Sequence, residues 1–114
     1  MIIKNKTKNE TVHSRAIFCN GIASKTVGLM FAKNTGKALI FKFEKEKIIS
    51  LHMFFVFYPI DVIFLDKIKV VVDMKENFKP FTFYVSKKKA VYAVELPKNT
   101  IKKTRTEVGD KIEF

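Results

Sequence analysis

The stretch "HMFFVFYPIDVIFLD", His52 to Asp66, decides how the chain folds. It is apolar throughout except for one His, one Tyr, one Pro and the acids Asp61 and Asp66. Extended backwards to "IISLHMFFVFYPIDVIFL" it is just long enough for a membrane helix. Asp61 and Pro59 are costly there, and β-branched and aromatic residues dominate the run. Strand, corner, strand is the better reading. "SLHMFFVF" and "IDVIFLD" become central strands with no polar face, as expected where a sheet is covered on both sides. Tyr58 and Pro59 form the corner, because Pro has no amide hydrogen to give a ladder. Residues His52–Phe57 are accordingly expected to be a central strand buried on both faces, and no transmembrane segment is expected.

Outward from this run the pattern is period two. Leu39, Phe41 and Phe43 share a face. So do Ile68, Val70, Val72 and Met74, and so do Ala90, Tyr92, Val94 and Leu96. In "FTFYVS" Phe81, Phe83 and Val85 stand opposite Thr82, Tyr84 and Ser86. Val12, Ala16 and Phe18 fall on one side, and Ile112 and Phe114 repeat at the end. "IASKTVGLMFA", with Ser24 as N-cap and apolar Val27, Met30 and Phe31, predicts one short helix near residues 24–32. The expected fold is mainly β: a compact antiparallel sandwich- or barrel-like domain spanning residues 1–114 as a single globular unit.

With 114 residues, 47% of them hydrophobic and twelve of them Phe, the chain has the means for a core without staples. Cys19 is the only cysteine, so no internal disulfide can form, and a lone Cys in "AIFCN" packs as a small hydrophobe. The first residues turn polar after Ile3, with no apolar leader, which predicts a cytoplasmic protein. Lys and Arg exceed Asp and Glu by 22 to 11, a formal charge of +11. That balance attracts polyanions such as nucleic acid. Arg occurs only at Arg15 and Arg105, so the charge suits non-specific binding better than the bidentate readout Arg provides. Abundant Lys, Ile and Phe also fit a heat-adapted protein.

Four motifs in order carry a family resemblance: "GLMF" at Gly28–Phe31, "HMFFVFYPIDVIFLD" at His52–Asp66, "AVYAVELPKNT" at Ala90–Thr100 and "VGDKIEF" at Val108–Phe114. The sequence resembles the family called domain of unknown function 192 from about Gly28 to the C-terminus. Met53, Pro59, Ile60, Asp61, Phe64, Glu95, Leu96, Thr100, Gly109 and Asp110 match its pattern. His52 stands where Trp is usual, Phe54, Phe55 and Val56 replace polar Lys-Asn-Thr, and Asn99 replaces Gly. The resemblance implies a compact, mainly β, sandwich-like domain and no particular activity. It also implies a positive φ at Asn99, in a turn leaving the "VYAVELP" strand, since Asn is the commonest non-Gly residue to tolerate it.

Asp61 and Glu95 are acids set in apolar strands, and with His52 they form the candidate binding site. As an enzyme site the three would do acid–base work. The structural reading, preferred here, is that Asp61 caps the turn after Pro59 and Glu95 takes a Lys or a backbone amide. His13, Cys19, Met30, His52 and Met53 match no metal-ligand spacing, and no phosphate loop or nucleophile motif is present. No catalytic residue, cofactor or metal is therefore expected. The candidate basic surface is Lys87, Lys88 and Lys89 with Lys102, Lys103 and Arg105, and "KNKTK" at Lys4–Lys8 adds to the charge. If these segments converge beside exposed aromatics such as Tyr84 or Tyr92, they bind single strands. The reading is a non-enzymatic ligand- or partner-binding module. Its rivals are a nucleic-acid-associated protein and a small enzyme built on Asp61, Glu95 and His52.

Overall fold

A computed structural model of the chain describes residues 1–20, 36–53 and 57–114. Ten strands and one short helix occur among them: β1 (Ile3–Asn5), β2 (Glu10–His13), β3 (Ala16–Asn20), β4 (Ala38–Lys47), β5 (Ser50–His52), β6 (Ile60–Leu65), β7 (Val71–Phe78), β8 (Phe83–Val85), β9 (Ala90–Pro97), α1 (Thr100–Thr104) and β10 (Ile112–Glu113). Five strands form the main sheet in the order β3-β4-β9-β6-β7. All its pairings are antiparallel except β3 with β4, which is parallel. Smaller sheets have the orders β10-β1-β2 and β5-β8.

The apolar run explains the layering. All six residues of β6 are buried, and so are the first seven of β9. Each strand must therefore be covered on both faces. On one face Leu39, Phe41, Val62, Phe64 and Ala93 pack with Leu51, Met53 and Tyr84 of and beside the β5-β8 sheet. On the other, Ile40, Ile63, Leu65, Val94 and Leu96 pack with Ile3, Val12, Ile101 and Ile112 of the three-stranded sheet and α1. The result is a layered sandwich, and none of the three sheets closes into a barrel. Burying one side chain such as Phe64 stabilises the fold by about 1.5–3 kcal/mol.

Several expectations are corrected in detail. The strand beginning before His52 is not central: β5 ends at His52 and pairs only with β8. Phe57, expected inside, is 76% exposed. Phe54, Phe55 and Val56 lie outside the described residues, as does the helix expected near 24–32. The described helix, which was not expected, follows directly on the turn read at Asn99. The alternation after Asp66 slips: Ile68 is exposed in a turn, and Val71 is the residue sealed in the core. β6 meets Val71 with Leu65 and Asp73 with Phe64, a register irregularity that exchanges the faces. Val12 and Ala16 fall in different strands of different sheets, though both reach the same core. Asn99 has φ 73°, the left-handed conformation that the resemblance implies.

Candidate functional site

The three candidate site residues occupy three different surfaces. Asp61 pairs across the main sheet with Leu96, and Glu95 with Val62 and Leu39. Cross-strand partners share a face. Asp61 therefore points with Leu96 toward α1, and Glu95 points with Val62 and Leu39 toward the β5-β8 layer. His52 pairs with Phe83 and lies on the side of β5 away from buried Leu51. The structure does not assemble them into one acid–base centre.

Asp61 is fully buried and fully engaged. Its Oδ1 accepts the Asn77 amide at 3.0 Å and its Oδ2 the Ile101 amide at 3.0 Å. Both donors need it. Asn77 sits at φ 49° where β7 bulges against β6, so its amide has left the ladder. Ile101 is in the first turn of α1, whose amides have no intrahelical partner, and Asn99 makes no side-chain cap there. Asp61 thus caps a helix 40 residues away instead of the turn after Pro59.

Asp110 is equally structural. It accepts from Asn5 Nδ2 at 2.8 Å, from Lys8 Nζ at 2.9 Å and from the Glu107 amide at 3.0 Å. Burial alone would raise its pKa. The bonds from Asn5, Lys8 and the Glu107 amide, with the Lys8 charge, outweigh that and hold it below the ordinary carboxyl value. Gly109 beside it has φ 99°, which requires glycine. Asp73 holds the Tyr84 hydroxyl and the Lys87 amide at 2.8 Å each, and burial together with that bond pushes Tyr84 up to about 12.

Glu95 differs from all of these. It is 3% exposed, and neither carboxyl oxygen has a hydrogen-bond partner among the described residues. The Lys or backbone amide expected for it is not found there. Burial drives its pKa well above the ordinary value, because a carboxylate there would lose its hydration, and so favours the neutral acid. Two polar side chains lie near it. Burial raises the Cys19 thiol and the Tyr58 phenol, and the Glu95 carboxyl adds to both shifts. Sequence reasoning missed these neighbours. Cys19 reaches Glu95 only because β3 docks in parallel on β4, a pairing that leaves no local signal. Tyr58 was read as part of a corner.

The basic residues do not form one obvious cluster. Lys87, Lys88 and Lys89 precede β9, whereas Lys102, Lys103 and Arg105 follow it; all six are exposed. An eight-residue strand separates them by about 24 Å at roughly 3.4 Å per residue. Tyr92 is buried and Tyr84 turns inward onto Phe64, so neither offers a stacking platform. Among the described residues, no group of His, Cys, Asp and Glu is placed to hold a metal ion, and no helix is long and apolar enough to cross a membrane.

The chain belongs to the family called domain of unknown function 192, described as "Uncharacterized ACR", whose profile matches residues 3–114. A UPF0127 protein of Pyrococcus furiosus is 39% identical over 112 residues, covering 96% of this chain and 95% of that one. One from Thermococcus sibiricus is 38% identical over 112 residues, covering 96% and 72%. These archaeal relatives fit the heat-adapted composition. Two crystal structures share the fold. A Novosphingobium aromaticivorans protein of unknown function matches with a TM-score of 0.87 at 19% identity, over 100% of this chain and 84% of its own. A Sinorhizobium meliloti protein, provisionally named a transcription regulator, matches with 0.84 at 20% identity, over 98% and 89%.

Proposed function

We propose that this chain is a non-enzymatic binding module that holds its ligand at the carboxyl of Glu95. One observation carries the reading: a sealed carboxyl with no partner among the described residues. A buried polar atom without a hydrogen bond destabilises a fold by about 1–3 kcal/mol. Asp61, Asp73 and Asp110 all have partners, so the fold knows how to satisfy an acid. Glu95 is also one of the positions at which the chain matches its family's pattern. A neutral carboxyl offers one donor and one acceptor side by side. Its complement is an amide or a second carboxylic acid. Leu39 and Val62 beside it favour an apolar body behind that head group. Asp61 faces the other side of the sheet, and the Asp73 carboxyl on this side is already engaged by Tyr84 and the Lys87 amide.

The test is amide-resolved NMR of the whole chain with hexanamide, hexanoic acid and hexylammonium as probes. Hexanamide or hexanoic acid at acid pH should shift signals of β9 and of Cys19 and Tyr58, and Glu95→Leu should abolish the response. If no probe moves those signals, or if hexylammonium alone does, the reading is wrong.

A further inference from the structure

Strand β8 turns apolar residues outward, beside Ser50 and His52 of β5. Tyr84 turns inward, its ring 5.8 Å from that of Phe64 and 6.3 Å from that of Phe78. Its two strand neighbours must then face solvent: Phe83 is 72% exposed and Val85 45%. The strand cannot slip by one residue to bury them. The Tyr84 hydroxyl and the Lys87 amide are both tied to Asp73, and the Ser86 hydroxyl takes the Ile49 amide. The row continues past the strand. Phe81 donates its amide to Met53, and its exposed ring meets exposed Phe57 edge-on at 5.4 Å. Phe81 holds φ 61°, which is costly for a bulky residue. Exposed Phe81, Phe83 and Val85 thus follow one another at every second residue of one locked segment, with Phe57 packed on Phe81. Exposed Lys79 precedes this row and exposed Lys87 follows it.

We propose that this face docks the protein on an anionic lipid surface. Phe57, Phe81, Phe83 and Val85 would enter the boundary between headgroups and acyl chains, with Lys79 and Lys87 against lipid phosphates. Charge selects this occupant. A second copy would bring lysine against lysine in a chain of net charge +11. A nucleic-acid strand would need rings to stack and a guanidinium to read. Val85 offers no ring. Arg105 follows α1, on the opposite side of the main sheet, and Arg15 lies between β2 and β3. A lipid surface accepts aromatic and aliphatic side chains alike. The proposal is independent of Glu95, which faces the interior.

The chain contains no Trp, so Phe83→Trp introduces a single indole reporter. Its emission should lie at long wavelength in buffer and shift to the blue on vesicles of phosphatidylcholine with phosphatidylglycerol. Added salt should weaken the response. Phosphatidylcholine vesicles alone should bind at least about tenfold more weakly. In the same background, Lys79→Gln with Lys87→Gln should lower affinity roughly tenfold, a change that leaves the core untouched. Phe57→Ser with Phe81→Ser should lower it by on the order of a hundredfold. Four results would overturn the proposal. The first is no shift on anionic vesicles. The second is equal binding to neutral vesicles. The third is blue emission already present in buffer, which means the chain or a second copy covers the face. The fourth is salt-dependent quenching by an oligonucleotide while vesicles have no effect.

Discussion

The main sheet buries its acids in two opposite ways, and the β5-β8 side holds both: Asp73 is tied to Tyr84 and the Lys87 amide there, whereas Glu95 is tied to nothing among the described residues. On the α1 side, Asp61 spends both oxygens on amides that the bulge in β7 and the start of α1 leave without partners. Nearby, Asp110 gathers Asn5, Lys8 and the Glu107 amide. On the β5-β8 side, Glu95 sits equally deep with neither oxygen engaged among the described residues. The contrast separates architecture from capacity. An acid that ends a helix or closes a turn is explained by the groups it satisfies. An acid that satisfies nothing needs another reason to remain, because apolar replacement would be easier to bury.

The sharpest way to break this contrast is Asp61→Ala. It orphans two amides, each worth about 1–3 kcal/mol, so chemical denaturation should report a loss of about 2–6 kcal/mol. Asp61→Asn is the discriminating control. Its oxygen can take one amide, but its NH2 then faces the other donor to donor. It should recover less than half of the loss. An Asn variant as stable as wild type would mean that the two amides do not require a carboxyl, and Asp61 would lose its structural explanation.

Glu95→Leu tests the other face and should change stability with the opposite sign. Removing an unpartnered buried carboxyl should stabilise the chain by about 1–3 kcal/mol near neutral pH. The pH dependence follows from the direction of the shift. Glu95 binds its proton more tightly in the folded state than in the unfolded state. The contribution of Glu95 to stability is therefore fully present below the ordinary value near 4.5 and is lost as pH rises through the raised folded value. The Leu variant lacks that slope, so its advantage should widen with pH. Asp110 works the other way. Its stabilisation is present above about 3.8 and is lost as pH falls through its lowered folded value. Urea midpoints measured across pH would decide the point. A Leu variant that is less stable than wild type at every pH would make Glu95 another satisfied structural acid.

Much of the sheet was legible: β6 because it has no polar face, which only two-sided cover permits, and β4 and β9 through their period-two pattern. The roles of the acids were not. Asp61 and Glu95 look alike in sequence: one charge amid aliphatic residues. What distinguishes them is a bulge at Asn77 and a helix at Thr100–Thr104, both remote in sequence from the acids. His52 and Phe57 were misplaced for a related reason. An apolar run records that residues avoid water and does not say where the strand ends. Phe83 and Tyr84 show the same limit. Alternation puts them on opposite faces, but only the Asp73 partner and the ring stack of Tyr84 decide which face turns inward. The parallel docking of β3 on β4, which carries Cys19 to Glu95, depends on chain topology that no local pattern records.

The smallest effect belongs to Asn99, and it sharpens the account of the α1 side. Pro97 ends the ladder of β9, and the chain must turn at once if the Ile101 amide is to reach Asp61. Asn99 makes that turn at φ 73° and ψ 3°, without a side-chain cap. Its side chain is therefore used for its tolerance of the left-handed region and not for a hydrogen bond to the helix. Glycine tolerates that region at least as well. Asn99→Gly should then change stability by less than about 0.5 kcal/mol, because relief of φ strain is offset by a more flexible unfolded chain. Asn99→Val should cost about 1–2 kcal/mol, since a β-branched residue clashes there. Combining Asn99→Val with Asp61→Ala should cost less than the sum of the two, because both act on the start of α1. Strict additivity in that double-mutant cycle would show that the turn and the buried acid act independently, and Asp61 would then be the cap of the β7 bulge alone.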